Sequence, residues 1–203
     1  MNKIIIQIGS HVGDTFNDKV YGISEQAKKL ILVEPVPYLF EQLKINYNKK
    51  FKDTSHIKFV NKAISSYDGK MELTIPSPTN DFSKFPYWAD QLASFNSEHI
   101  KKHIPNLLTE TILVDVMSLN SLLREYNIDH IDELYLDTEG HEFEILNNFS
   151  FCVKPIKIYF EYKHIDGTYS VGNKFNILMN KLKLLGYIIT EQTETDIEVI
   201  LYK

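Results

Sequence analysis

The sequence predicts an α/β fold with a mainly parallel sheet and helices on both faces. Three observations carry this. Short apolar runs alternate with longer stretches of helical period along most of the chain. The runs Lys3 to Ile8 and Leu30 to Val33 read as continuous, as strands buried on both faces do. The chain closes on two consecutive strand-like runs, Tyr187 to Thr190 and Ile197 to Tyr202.

The elements follow in order. Lys3 to Ile8 is the first strand. Asp14 to Lys29 is polar, with Phe16, Val20, Ile23 and Ala27 scattered through it, and is expected as helix. Leu30 to Val33 is a second strand, ending at Glu34. Pro35 and Pro37 open a helix through about Lys49, with Leu39, Phe40, Leu43 and Tyr47 on one face. Ile57 to Val60 is a third strand. Ala63 to Ser65 and Met71 to Ile75 flank Asp68-Gly69, a turn signal that predicts a β-hairpin. Pro76 to Pro105 holds four of the seven prolines and the single Trp88, and reads as inserted loop with one short helix near Ser94 to His103. Regularity then resumes. Thr111 to Val116 is a strand, Ser118 caps a helix to Tyr126, and Ile131 to Leu136 is a strand. Gly140 to Phe149 is a helix and Ile156 to Tyr162 a strand. Phe175 to Leu185 is a helix with Gly186 at its C-terminal cap. One domain is expected over residues 1–203, with an inserted hairpin and loop segment at about 62–110.

Composition excludes several functions. The 22 Lys+Arg against 27 Asp+Glu give a net charge of −5, which argues against a broad basic face for nucleic acid. Arg124 is the only arginine, so bidentate guanidinium clamps on phosphate or carboxylate are nearly absent. No apolar run approaches the roughly 20 residues of a membrane helix. The run Ile4-Ile5-Ile6 is too short for an export signal. Cys152 is the only cysteine, which suits a reducing cytosol. A cytoplasmic protein bound neither to membrane nor to nucleic acid is expected.

In open α/β sheets ligands sit beyond the carboxyl ends of the strands. After the first strand comes Gly9-Ser10-His11-Val12-Gly13-Asp14-Thr15, a G-x-x-x-G turn that lets backbone approach a ligand. After the second comes Glu34, whose carboxylate offers two oxygens to the two hydroxyls of a ribose. After Leu136 comes Asp137-Thr138-Glu139-Gly140-His141-Glu142, with more acid than a helix cap needs.

At these residues the sequence resembles the FkbM family of S-adenosylmethionine-dependent methyltransferases. The family's glycine-turn motif resembles Gln7 to Thr15, its Glu-Pro motif Glu34-Pro35, and its Asn-x-Ala motif Asn61 to Ser65 with Asp68-Gly69. Its late acidic motif resembles Tyr135 to Glu142. The resemblance runs over about residues 4 to 165. It implies a Rossmann-like class I methyltransferase fold, with seven strands in the order 3-2-1-4-5-7-6 and the last antiparallel. It implies S-adenosylmethionine as cofactor. Gly9, Ser10 and Gly13 would contact its methionine part through backbone, Glu34 its ribose, and Pro35, Val36, Lys62 and Ala63 its adenine. Asp137 would lie near the methyl donor, and Glu139 and Glu142 would face or support the acceptor. Four points depart from the pattern: Gln7 stands for an acid, His11 for Asn, Tyr135 for Lys, and Glu161 with His164 resembles a later Glu-x-His element whose His is one residue further on.

A hydroxyl acceptor benefits from a general base. Asp137 or Glu139 is expected in that role, with His141 and then His164 as further candidates. The expected acceptor is a small molecule, a sugar hydroxyl above all. Phe82, Phe85, Tyr87 and Trp88 in the insertion are the right types to stack on a sugar or simply to pack the loop. Asp137, Glu139 and Glu142 are types that hold Mg²⁺, but no second acidic strand end is evident, and no metal is expected. His99 and His103 have metal-ligand spacing without an evident third ligand, and are expected to be solvated. Two other functions compete: a nicotinamide-dependent oxidoreductase, and a non-catalytic nucleoside-binding module.

Overall fold

Ten strands and six helices follow one another in the computed structural model, which describes residues 2–16 and 18–202. The first half runs β1 (Lys3–Ile8), α1 (Lys19–Ile23), β2 (Ala27–Val33), α2 (Pro37–Lys50) and β3 (Ile57–Val60). The insertion carries β4 (Ala63–Ser65), β5 (Gly69–Pro76), α3 (His99–His103) and β6 (Thr109–Ser118). The second half runs α4 (Leu119–Glu125), β7 (Glu133–Leu136), α5 (Glu142–Asn148), β8 (Lys157–Glu161), α6 (Asn173–Leu184), β9 (Tyr187–Gln192) and β10 (Asp196–Leu201).

The central sheet has the order β3-β2-β1-β7-β8-β10-β9. The first five strands are mutually parallel, and β10 is antiparallel to both its neighbours. With the three strands of the insertion left out of the numbering, this is the 3-2-1-4-5-7-6 run that the resemblance implies. Successive side chains of a strand point to opposite faces. Ile5, Leu30 and Leu32 therefore pack with Leu43 and Tyr47 of α2 on one face. Ile6, Ile8, Ile31 and Val33 pack with Leu122, Ile145, Leu146 and Leu178 of α4, α5 and α6 on the other. Both faces are covered, which is why these strands read as unbroken apolar runs.

Two local expectations are corrected. The long helix from Asp14 to Lys29 is only α1, five residues, followed by one 3₁₀ turn at Ser24–Gln26. Ala27 already belongs to β2, and Phe16 is exposed. Asn17, which that helix would include, lies outside the described residues. The expected hairpin does not form either. The insertion folds as a second sheet, β4-β6-β5, with β6 between the two supposed hairpin strands. β6 pairs antiparallel with the whole length of β5 (Met71 opposite Val114) and parallel with β4 at its own end (Ala63 opposite Val116). Asp68 is used instead to tether α4: its carboxylate accepts from Ser118 N and Ser121 Oγ, both at 2.7 Å. The second sheet packs Leu73, Ile75, Val114 and Val116 onto Val36 and Leu39, over the carboxyl ends of β1 and β2.

Candidate active site

A cavity of about 400 Å³ opens where β1, β2 and β7 end, within the roughly 300–1,000 Å³ usual for small-molecule sites. Gly9 turns the chain out of β1 at φ +83°, and a Cβ there would stand 1.8 Å from the Asp137 carbonyl oxygen. Only glycine fits this approach of β1 to β7. The turn uses its own amides: Gly9 N and Ser10 N both donate to Val33 O at 3.0 Å, and Gly13 N to Ser10 O at 3.0 Å. Ser10 Oγ is buried and accepts from Val33 N. Gly9 and Ser10 line the cavity, but their N–H groups are committed to the β1–β2 link. Gly13 stands outside the lining, against Leu43 and Tyr47, where a Cβ would meet both side chains within 2.7 Å. His11 takes the left-handed conformation, φ +46°, which Asn and His adopt more readily than most residues.

Glu34 is the buried carboxylate of the site. Its Oε2 accepts from His11 N and its Oε1 from Val36 N, each at 2.9 Å. Burial pushes its pKa up to about 7, and the two amide bonds only partly offset that. Each oxygen keeps a lone pair for a further donor. Pro35, Lys62, Ala63 and Ile64 line the cavity beside it. Val36 is fully buried outside the lining and serves through its amide.

The acidic turn after β7 divides its work. Asp137 faces the cavity and is accessible from it, yet protein surrounds it on its other sides. This burial, with Glu142, Asp196 and Asp18 nearby, raises its pKa to about 7. Glu142 turns away: its carboxylate accepts from Thr138 N, Thr138 Oγ1 and Gly140 N, which locks the turn. Asp137, Glu139 and Glu142 therefore do not converge as a group of three. Glu161, at the end of β8, takes the third place beside Asp137 and Glu139. Burial and its acidic neighbours push Glu161 up to about 11. His141 also leaves the site. Its Nε2 bonds Ser65 Oγ at 2.9 Å and its ring packs on Phe95, which ties α5 to β4. Burial lowers its pKa to about 4.

Glu139 links this site to the insertion. Its Oε2 lies 2.7 Å from Nε2 of His99, a side chain with 1% exposure. The expectation of a solvated His99–His103 pair is corrected: the two rings pack on each other and on His164, and His103 also packs on Tyr169.

Of the four insertion aromatics, Phe82, Phe85 and Trp88 pack on a small core of Ala89, Leu92, Ile100, Ile104 and Leu107. Tyr87 is exposed and meets Phe16 edge-on at 6.3 Å. The aromatics that line the cavity are Phe16, Phe95, Tyr135 and Tyr159. Sequence reasoning also missed the acids Asp18 and Asp196, which reach the cavity from α1's cap and from β10. Five carboxylates line it (Asp18, Glu34, Asp137, Glu139 and Asp196) against two lysines (Lys19 and Lys62).

The fold has a solved counterpart. Methyltransferase FkbM from Methylobacillus flagellatus KT superposes with a TM-score of 0.55 at 14% identity, covering 99% of this chain and 44% of that one. This chain thus spans less than half of that protein's length. A human methyltransferase 10 domain containing protein aligns at 12% identity and TM-score 0.49, over 100% of this chain and 73% of that one. Precorrin-6y C5,15-methyltransferase from Geobacter metallireducens GS-15 aligns at 12% identity and TM-score 0.46, over 98% and 80%. No curated protein sequence matches the chain. The sequence profile of the methyltransferase FkbM domain matches residues 7–189, nearly the whole length, and the chain therefore belongs to that family.

Proposed function

We propose that the protein is an S-adenosylmethionine-dependent O-methyltransferase acting on a small hydroxylated acceptor, in the first place a sugar. The observation that carries this is Glu34. A buried carboxylate with one free lone pair on each oxygen, at the end of β2 and across the cavity from Asp137, suits the paired hydroxyls of a nucleoside ribose.

The rest of the cavity fits the same ligand. Leu39, Ala63, Ile64 and Leu73 offer an apolar wall for adenine beyond Glu34. Asp18, Asp137 and Asp196 put negative charge at the other end, suited to an ammonium and a sulfonium. The same charge disfavours the diphosphate of a nicotinamide dinucleotide. So do the committed amides of Gly9 and Ser10, and α1, which starts only at Lys19.

When bound, the cofactor supplies a methyl group already activated on its sulfonium. The protein's part is alignment and one proton. Glu34 and the apolar wall fix the nucleoside end. Asp137 accepts the proton of the attacking hydroxyl as the oxygen takes the methyl group. It suits this role by position: it faces the cavity, and among the described residues its carboxylate accepts no hydrogen bond. Glu139 lines the acceptor side. The lack of arginine in the lining supports a neutral acceptor over a phosphorylated one. Cytosol is the proposed setting. No helix among the described residues is long and apolar enough to cross a membrane, and the lone Cys152 is exposed.

A tritiated methyl-transfer assay over a panel of sugar acceptors tests this. Transfer by the wild type is expected, with turnover about 10²–10³-fold lower in Asp137→Asn and S-adenosylhomocysteine affinity nearly kept. Full turnover by Asp137→Asn removes the base assignment.

A further inference from the structure

Beside the cavity, and sharing Glu139 with its lining, three distant parts of the chain converge on one cluster. His99 and His103 stand one turn apart on α3. Glu139 comes from the turn after β7, and His164 from the segment after β8. One potential ligand atom of each lies within 4.8 Å of those of the other three. Imidazole and carboxylate are the ligand types of zinc and its neighbours in the first transition row.

The outer nitrogens decide which rings can bind. His99 Nδ1 lies 2.9 Å from Thr168 Oγ1, and His103 Nδ1 lies 2.6 Å from Tyr169 OH. With each Nδ1–H donated to its hydroxyl, both Nε2 lone pairs are left for the cluster, as in metal-bound histidines whose second nitrogen is anchored. His103 Nε2 is buried and has no hydrogen-bond partner among the described residues. His99 Nε2 meets Glu139 Oε2 directly. His164 is set the other way. Its Nδ1 accepts from Tyr169 N at 3.0 Å, so the neutral ring carries its proton on Nε2, which faces Glu161 Oε1 at 3.5 Å.

We propose that His99 Nε2, His103 Nε2 and the Glu139 carboxylate bind one first-row transition-metal dication, zinc being the best fit, with a fourth position open to water. The His164 N–H flanks that position. Ligand atoms of a tetrahedral zinc site stand about 3.3 Å apart, given bonds of about 2.0–2.1 Å. Small side-chain rotations close the cluster to that spacing and open the His99–Glu139 contact. The ion would clamp the insertion to the β7 strand end and draw Glu139 toward the insertion, leaving Asp137 to face the acceptor. The site stands apart from the cofactor assignment, because ion binding is measured without cofactor or acceptor.

The test uses the full chain without a histidine tag, stripped with chelator and titrated with Zn²⁺ and, separately, Co²⁺. One Zn²⁺ per chain by metal analysis is expected, with the visible d–d bands of a four-coordinate cobalt site. His99→Gln and His103→Gln should each weaken binding by about 100-fold or more, and His130→Gln, on the surface, should not. A zinc-induced rise in the wild-type melting temperature, reversed by chelator, needs no variant and holds even if the histidine variants fold poorly. Three results would overturn the proposal: no stoichiometric zinc and no thermal shift in the wild type; unchanged affinity in folded His99→Gln; or a thiolate charge-transfer band with cobalt, which would put the ion at Cys152. The first leaves a hydrogen-bonded histidine knot that needs no ion.

Discussion

Gln7 Nε2 donates to Asp18 Oδ2 over 2.9 Å, joining β1 to the cap of α1 at the wall of the cavity. The FkbM pattern places an acid where Gln7 stands. Here the carboxylate reaches the same wall from the next element. Asp18 also caps α1, accepting from Tyr21 N at 2.6 Å. Asp18→Asn should therefore weaken S-adenosylmethionine binding about tenfold, the scale of one hydrogen bond to a charged group. Asn keeps the cap, so the melting temperature should hold. Asp18→Ala should lose the cap as well, about 1 kcal/mol, or roughly 2–4 °C. Calorimetry and thermal melts of the two variants separate these effects.

Gly9 and Gly22 make a matched pair. A Cβ at Gly9 meets the Asp137 carbonyl oxygen at 1.8 Å in a left-handed backbone, whereas one at Gly22 in α1 meets none of the described residues within 4 Å. Gly9→Ala should cost about 3 kcal/mol or more, because backbone must shift. Gly22→Ala should gain about 0.5–1 kcal/mol from helix propensity. Denaturant unfolding of both variants measures the difference in sign.

The strands of the central sheet were legible because both of their faces are buried. Ile5 and Ile6 point to opposite cores, and a polar residue at either position would be buried in apolar surroundings. α1 was not legible at its true length. Its flanks scatter apolar residues without choosing a face: Phe16 is exposed, and Ala27 goes to the sheet. The hairpin misreading has a different cause. Asp68-Gly69 is a local turn signal, and nothing local shows that β6, more than thirty residues later, inserts between β4 and β5. Within the site, Glu34 and Asp137 were legible from their places at strand ends. His141 was not, because a polar residue after a strand is as easily buried against Ser65 as aimed at a ligand. The spacing of His99 and His103 was visible, but their partners Glu139 and His164 come from strand ends 36 to 40 and 61 to 65 residues away.

Glu34 makes cofactor binding depend on pH. Its pKa in the free protein is raised to about 7 by burial. Ribose hydroxyls donate best to the ionised form, so binding should release a proton below that pH. Affinity for S-adenosylhomocysteine should rise with pH up to about 7 and level off above it. Glu34→Gln should flatten the profile as well as weaken binding. The same raised pKa means that folding gains most from Glu34 below about 4.5, its ordinary value, and loses that gain as pH rises through about 7. Calorimetry from pH 5.5 to 8.5 in buffers of different ionisation enthalpy reads the proton release directly.

His141 should matter to the fold and not to the ligand. His141→Phe removes the bond to Ser65 Oγ and leaves that buried hydroxyl only its weak donation to Met71 Sδ at 3.5 Å, at a cost of about 1 kcal/mol. S-adenosylhomocysteine affinity should stay within about twofold, since the ring lies outside the cavity lining. Loss of affinity at full stability would return His141 to the site.

The central claim is that Glu34 holds the ribose of a sulfonium nucleoside in the cavity between Gly9 and Asp137. Isothermal calorimetry of S-adenosylhomocysteine with the wild type and with Glu34→Ala tests it most directly. The predicted result is one site per chain in the wild type, at least about tenfold weaker in Glu34→Ala, and no binding of NAD by either. No binding by the folded wild type, or equal affinity in the two proteins, would contradict it.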